Sequence, residues 1–303
     1  MIFCAGLVAG AQLHVLQRPS PSGSPELISH LNQLDAELKQ IRGMELSPAD
    51  IVAANRDSIC FIVSTYTLTD PGAQAGAPAR YRLLATGFLA SGDTVVSNRH
   101  VLEPWFGDAQ AEKSITLGAI PRRGKILAYF PSLEQPLELS QIAVSQAADL
   151  AVARVDLPRG AHLSPLQLAS HPGVAGEAVL VLGYPLGVTT MLAKTTAIPY
   201  QISALRQGEK DVDHLAEFRL IRPTATQGHL ADESGTTLMY DASTARGSSG
   251  GPVFNMHGEV IGVNAALITG FNGTSLGVST AALRPLLDSV EAQHAASPHG
   301  GVR

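Results

Sequence analysis

The chain is expected to be an all-β sandwich or barrel, with two barrels suiting its length, and three observations carry that expectation. From about residue 55 onward, short runs rich in Val, Ile, Leu and Thr alternate with Gly, Pro, Asp and Ser. Little helical periodicity lies between these runs, which argues against a doubly wound α/β sheet. A length of 303 residues with 45% hydrophobic content allows one large domain or two medium ones, with ample core and no need of staples.

Taken in order, residues 1–16, "MIFCAGLVAGAQLHVL", are nearly all apolar but shorter than the roughly 20 residues that cross a bilayer. They lack the basic start of a secretory signal, although Ala9-Gly10-Ala11 has the small-x-small form of a cleavage site. Three readings stay open: a truncated signal or membrane anchor, a buried N-terminal segment, or a mis-set start. The first would place the chain in the cell envelope, periplasmic or membrane-anchored, or outside the cell.

Residues 17–25, "QRPSPSGSP", have the composition of a semi-stiff linker. Leu27, Leu31, Leu34, Leu38 and Ile41 then recur at helical spacing, with Ser24-Pro25 as a start signal and Gly43 as a stop. This amphipathic helix, within a linker region spanning 17–50, is too short for an ordinary coiled coil. Docking on the main domain is favoured, and self-association into an oligomer is the other reading.

The strand runs follow: "SICFIVSTYTL", "RLLATGFLA", "DTVVSN", "KILAYF", "DLAVARVD", "AVLVLG", "EFRLIRP" and "EVIGVNAALI". On a two-barrel reading they would divide into 51–161 and 162–292. Near the end, Thr280 is expected to cap a helix over residues 281–291 with Pro285 early in it, and the tail 293–303 is expected to fray.

Composition excludes several functions. A net charge of -5 and a pI near 6.0, with no dense Lys/Arg run, leave no footprint for nucleic acid. Cys4 and Cys60 make neither a disulfide framework nor a C-x-x-C pair, and the ten histidines are scattered, so no metal and no cofactor is indicated.

Three stretches carry residues fit for nucleophilic chemistry. A serine needs a base within hydrogen-bond reach, a group that orients the base, and donors for the developing oxyanion. "RGSSGGPVFN", residues 246–255, sets two serines among glycines that let backbone amides approach a carbonyl. By itself it is equally a Gly/Ser turn leading into a strand. In "ATGFLASGDTVVSNRHVLEPW", residues 85–105, His100 stands where a strand stops. In "QAADLAVARVD", Asp149 opens an apolar strand, either solvating a turn or bonding an imidazole. Their order, His100, Asp149, Ser249, within an all-β chain is that of the chymotrypsin-like proteases; subtilisins and α/β-hydrolases order the same roles differently.

The chain therefore resembles a trypsin-like serine peptidase of the chymotrypsin clan, nearest to the HtrA/Deg-type protease domain. "TGFLASGDTVVSNRHV", "ADLAVARVD", "GEAVLVLGYPLGV" and "GSSGGPVFNMHGEVIGVN" are similar to four family segments and occur in the family's order. The resemblance spans about Ile59 to Val290. It implies two packed six-stranded antiparallel β-barrels, with no residues after the terminal helix for a PDZ domain. Ser249 is implied as nucleophile, His100 as general base and then acid, and Asp149 as the residue orienting the imidazole. Amides of Gly247 and Ser249 are implied as the oxyanion hole.

The implied substrates are extended or unfolded polypeptides. Ser243 falls near the base of the specificity pocket, with walls from Asn264, Ala265, Ala266 and Leu267; with no carboxylate at Ser243 a preference for Lys or Arg is not expected, and the bulk of Leu267 is expected to favour cleavage after small to medium apolar residues. Ser248 stands where the family usually has Asp or Asn, which argues against activation by a newly cut N-terminus. Arg99 before the histidine is also unusual. The segments 188–214 and 223–238 are read as regulatory loops. Two rivals remain: a catalytically inactive relative that only binds extended peptides, and an esterase of another class, for which "GSSGG" lacks the G-x-S-x-G elbow.

Overall fold

Strands β1 (Ile59–Thr69), β2 (Ala79–Ser91), β3 (Thr94–Ser97), β4 (Ile120–Tyr129), β5 (Leu137–Val144) and β6 (Ala151–Val155) close into one antiparallel barrel in the order β1-β2-β3-β6-β5-β4. Strands β7 (Ala178–Gly183), β8 (Thr224–Ser234), β9 (Thr237–Tyr240), β10 (Pro252–Phe254), β11 (Val260–Leu267) and β12 (Ser275–Ser279) close a second, in the order β10-β11-β12-β9-β8-β7. Read around the ring, the two orders are equivalent, so both barrels share one topology. Closure leaves no open sheet edge in either. The computed structural model describes residues 29–30, 33–34, 45–70, 78–194, 210–267 and 273–296.

β1 shows why the apolar runs are continuous rather than alternating. Cys60 and Ile62 point into the first barrel with Leu89, Val95 and Ile126. Ile59, Phe61 and Val63 point the other way, onto Leu180, Leu182, Tyr184 and Met191 of the second half. A strand buried on both faces has no polar side to alternate with. The Phe61 and Tyr184 rings lie 5.3 Å apart, and the buried Tyr184 hydroxyl donates to Ile59 O at 2.9 Å. Cys60 is fully buried, and burial pushes its thiol far up, so it acts as a small apolar side chain rather than a nucleophile.

Several local expectations are corrected. Residues 217–223 are no strand: a helix over Lys210–Glu217 ends there, with Arg219 at φ 53° and Leu220 N–H bonded to Leu215 O at 2.7 Å. This left-handed closure ends the helix and lets the chain turn out of it. Residues 223–238 are no loop, because β8 and β9 pair across them as a hairpin. Of 188–214, residues Val188–Ala193 are helical and 195–209 lie outside the described residues.

The C-terminal helix runs Thr280–Ala296, longer than expected, and the hydroxyl accepting from Ala281 N belongs to Ser279 rather than Thr280. A helix over Pro48–Asn55 went unread, although Ser47 before Pro48 is a cap signal; its hydroxyl accepts from Asp50 N at 3.2 Å. A further helix, Ala109–Thr116, is capped by Asp108.

Residues 1–45 form a separate unit. Residues 29–30 and 33–34 are helical and exposed. The expected signal or anchor, the linker, most of the amphipathic helix and the tail beyond 296 lie outside the described residues. Among the described residues no helix is long and apolar enough to cross a membrane.

Candidate functional site

Strand pairing brings His100 and Asp149 together. β3 and β6 are antiparallel with Ser97 opposite Ala151, so residues just after Ser97 and just before Ala151 emerge at the same end of the ladder. After Ser97 the chain makes a single helical turn, Arg99–Leu102, whose Val101 and Leu102 are fully buried in the first barrel. Those two anchors hold the turn so that His100, one residue earlier, faces the cleft. Asn98, also fully buried, donates from Nδ2 to Asp149 O at 2.9 Å and ties the two segments.

The contact itself is two-pronged. Asp149 Oδ2 lies 2.7 Å from His100 Nδ1, and Oδ1 accepts the His100 main-chain N–H at 3.0 Å. Burial pushes the Asp149 carboxyl up, but the hydrogen bond from His100, the charge of that ring and the main-chain N–H groups of His100 and Arg99 outweigh it and hold the group below the ordinary carboxylate range. With Nδ1 engaged by Asp149, Nε2 is the nitrogen left for another partner. Arg99, unexplained in the sequence, pairs with Glu103 at 2.7 Å, reaches Ser145 O and lies 4.1 Å from the centre of the Phe106 ring, bracing this turn from outside.

Ser249 comes from the second barrel, on the tight turn before β10. Gly250 N donates to Asn264 O and Asn264 N to Gly251 O, each at 2.8 Å, which fixes the turn over β11. Thr86 N donates to Ser249 O at 2.8 Å, joining the turn to the first barrel. The Ser249 hydroxyl donates to Ala265 O at 3.1 Å rather than to His100. Ser248, the other serine, is buried beside Gly183 and so is withdrawn from the cleft. His100, Asp149 and Ala265 line one hollow of about 450 Å³ together with Leu83 and Phe106.

Gly247 sits at φ 97°, a left-handed conformation favouring glycine. Arg246 O accepts from Leu186 N at 2.6 Å, and Ser248 O accepts from Gly251 N at 3.0 Å. In a trans peptide N–H and C=O point opposite ways, so the Gly247 and Ser249 N–H groups are turned away from these held carbonyls. Among the described residues neither N–H has a hydrogen-bond partner.

Of the expected specificity residues, Ser243 is exposed in the segment after β9; its neighbours are fastened to β12, where Ser275 Oγ donates to Ala242 O at 2.9 Å. Asn264 is buried and its Oδ1 accepts from the Tyr240 hydroxyl, so it enters the site through its main chain alone. The backbones of Ala266 and Leu267 pair with β12, and their side chains lie outside the described residues.

Thr86, in the segment 85–105, has no role that the sequence assigns. Its hydroxyl donates to Gly247 O at 2.7 Å and accepts from Tyr184 N at 3.1 Å, both across the barrel boundary. A hydroxyl inside the otherwise apolar run from Leu83 to Ala90 is the available signal. Thr86→Val keeps the shape and leaves two buried main-chain groups unpaired. A loss of about 2–4 kcal/mol in denaturant unfolding is expected, together with reduced turnover because the Gly247 peptide loses its tether.

A family model described as a trypsin-like peptidase domain matches residues 85–263. Serine protease Rv3671c of Mycobacterium tuberculosis is 28% identical over 189 residues, 62% of this chain and 37% of the relative. Serine protease PepD of the same organism is 30% identical over 131 residues, 42% of this chain and 24% of the relative. The chain thus spans well under half the length of these curated relatives. The crystal structure of the M. tuberculosis Rv3671c protease in its active form matches with a TM-score of 0.50 at 21% identity, over 80% of this chain and 87% of that one, a likeness of fold.

Proposed function

The chain belongs to the trypsin-like serine peptidases, and on that premise we propose that it is an endopeptidase in which Ser249 attacks the scissile carbonyl of an extended polypeptide. The single observation that carries this reading is the approach of His100 to Asp149 at 2.7 Å in the same hollow as Ala265, whose carbonyl holds the Ser249 hydroxyl. For reaction the hydroxyl leaves Ala265 O by rotating about χ1 to another staggered well and meets His100 Nε2. His100 takes the proton as Ser249 Oγ bonds to the carbonyl carbon, and Asp149 steadies the imidazolium. The Gly247 and Ser249 N–H groups receive the developing oxyanion. Collapse expels the amine, protonated by His100, and leaves an acyl-enzyme that water hydrolyses by the same steps in reverse.

Residues preceding the cut pass Ser243 and the β11 strand, and the absence of a carboxylate at Ser243 disfavours Lys or Arg there, in keeping with the proposed cleavage after small to medium apolar side chains. The test is labelling with a fluorophosphonate. Wild type is expected to label and Ser249→Ala to remain unlabelled while melting normally. Labelling of Ser249→Ala would remove the nucleophile assignment, and a folded wild type that stays unlabelled would favour the inactive peptide-binding relative.

A further inference from the structure

A chain of net charge -5 gathers five cations, Arg80, Arg82, Arg122, Arg123 and Lys125, all exposed, on β2 and β4. The two groups are distant in sequence, and β1 lies between them and pairs with both. Arg82 stands opposite Thr65, and Arg80 and Arg122 both stand opposite Thr67. Paired residues share a face of the sheet, so Arg80, Arg82 and Arg122 project together, while Arg123 pairs with Tyr66 and lies over Trp105 on the other face. The first face continues into a hollow of about 410 Å³ in which Val63, Leu127 and Tyr129 supply apolar surface, Arg80, Arg82 and Lys125 positive charge, and Asp213 one carboxylate.

The acidic groups nearby are few. Asp213 accepts the Tyr129 hydroxyl at 2.8 Å, Glu138 lies 3.8 Å from Lys125, and Asp70 follows the end of β1. Among the described residues, Arg82 and Arg122 meet no carboxylate.

This face is joined by packing to the turn that carries Ser249. Leu84, on the Arg82 face of β2, packs at Gly187, where a side-chain carbon would stand 3.1 Å from Leu84 Cδ1. The adjoining Leu186 N–H holds Arg246 O beside Gly247. Buried contacts therefore link the Gly247 turn through Gly187 to Leu84, and Arg82 and Arg80 follow on the same face of β2 at steps of about 7 Å.

We infer that this hollow is an accessory site for the polypeptide substrate, taking an acidic segment with an apolar anchor that lies beyond the bond being cut. The inference rests on the peptidase reading above. Carboxylates of the segment meet the forked guanidinium groups of Arg82 and Arg122, and an apolar side chain enters against Val63 and Tyr129. The apolar surface is recessed, with Val63 and Tyr129 buried, so a single side chain reaches it and the flat face of a bilayer does not.

The site is tested first by binding to the intact Ser249→Ala chain, which cannot cut. The probe is a fluorescent peptide of glutamates flanking one phenylalanine, with a lysine counterpart as control. The acidic peptide is expected to bind, to weaken in about 0.5 M salt and to lose at least tenfold affinity in Arg82→Glu/Arg122→Glu, with Arg82→Gln/Arg122→Gln giving a smaller loss of the same sign and all variants melting like the parent. Equal binding of the two peptides, or unchanged binding in both double variants, would overturn the site.

In the cutting-competent chain, an acidic extension of a peptide substrate is expected to raise kcat/KM about tenfold, an advantage absent from the double variants, while the unextended substrate is cut alike by all. Activity without this advantage overturns the accessory site alone; peptide binding without any activity overturns its assignment to substrate. Sedimentation with vesicles of about 30% phosphatidylglycerol in a zwitterionic lipid is expected to be negative, and capture through the same arginines would reassign the surface to anionic lipid.

Discussion

Asp149→Asn is expected to lower kcat on a peptide substrate by about 10⁴-fold with the fold intact. The carboxylate uses both oxygens on His100, one for Nδ1 and one for the main-chain N–H. An amide keeps that shape, but its NH₂ can face Nδ1, which then accepts, and the ring proton moves to Nε2. The imidazole then has no lone pair for Ser249. Substrate binding through main-chain contacts is untouched, so the loss falls on kcat rather than KM.

The same variant reports on acid stability. A carboxyl held below its ordinary range in the folded chain contributes stability that is fully present above the unfolded value and lost as pH falls through the lowered folded one. Wild type is therefore expected to lose melting temperature in that acid window more steeply than Asp149→Asn, which has no carboxyl to protonate at this position. Parallel slopes in thermal melts against pH would contradict the depressed carboxyl.

The largest stability effect is expected from Gly250→Ala. Gly250 sits at φ 86°, and a side-chain carbon there would coincide with Thr86 O and Ser97 Oγ. Those two atoms are themselves hydrogen-bonded at 2.7 Å across β2 and β3, so neither yields cheaply. Left-handed strain and the clash together cost about 3 kcal/mol or more, equivalent to a fall in melting temperature of roughly 6–12 °C for a domain of this size. Turnover should fall as well, because the Gly250 N–H bond to Asn264 O fixes the turn that carries Ser249. Ser249→Ala, which adds no atom, should melt near wild type, and a Gly250→Ala protein that did the same would refute the packing argument.

Strand legibility followed burial. β1, β6, β7 and β11 are apolar runs packed on both faces or against a partner element, and each was readable. β5 ("LELSQIAV") and β8 ("TATQGHLADES") are half-exposed and polar along one side, and β9 is only Thr237–Tyr240. Their strand character comes from the neighbours that complete their hydrogen bonds rather than from their own composition. The helix over Lys210–Glu217 was mistaken in part for a strand because the apolar residues at its end, Phe218, Leu220 and Ile221, alternate with arginines just where the chain leaves the helix.

The sequence by itself determined the all-β class and pointed to His100, Asp149 and Ser249, in that order, as the candidate site, because residue type, local glycine content and order along the chain are written in one dimension. Only the tertiary structure decided that Thr86 holds Gly247 across a separation of 161 residues, that the Ser249 hydroxyl rests on Ala265 O, and that arginines from β2 and β4 share one face beside the cleft. Each of these depends on strand register and on the packing of one barrel against the other. Such contacts join residues that carry no mark of each other in the chain until the barrels close and bury the surfaces between them.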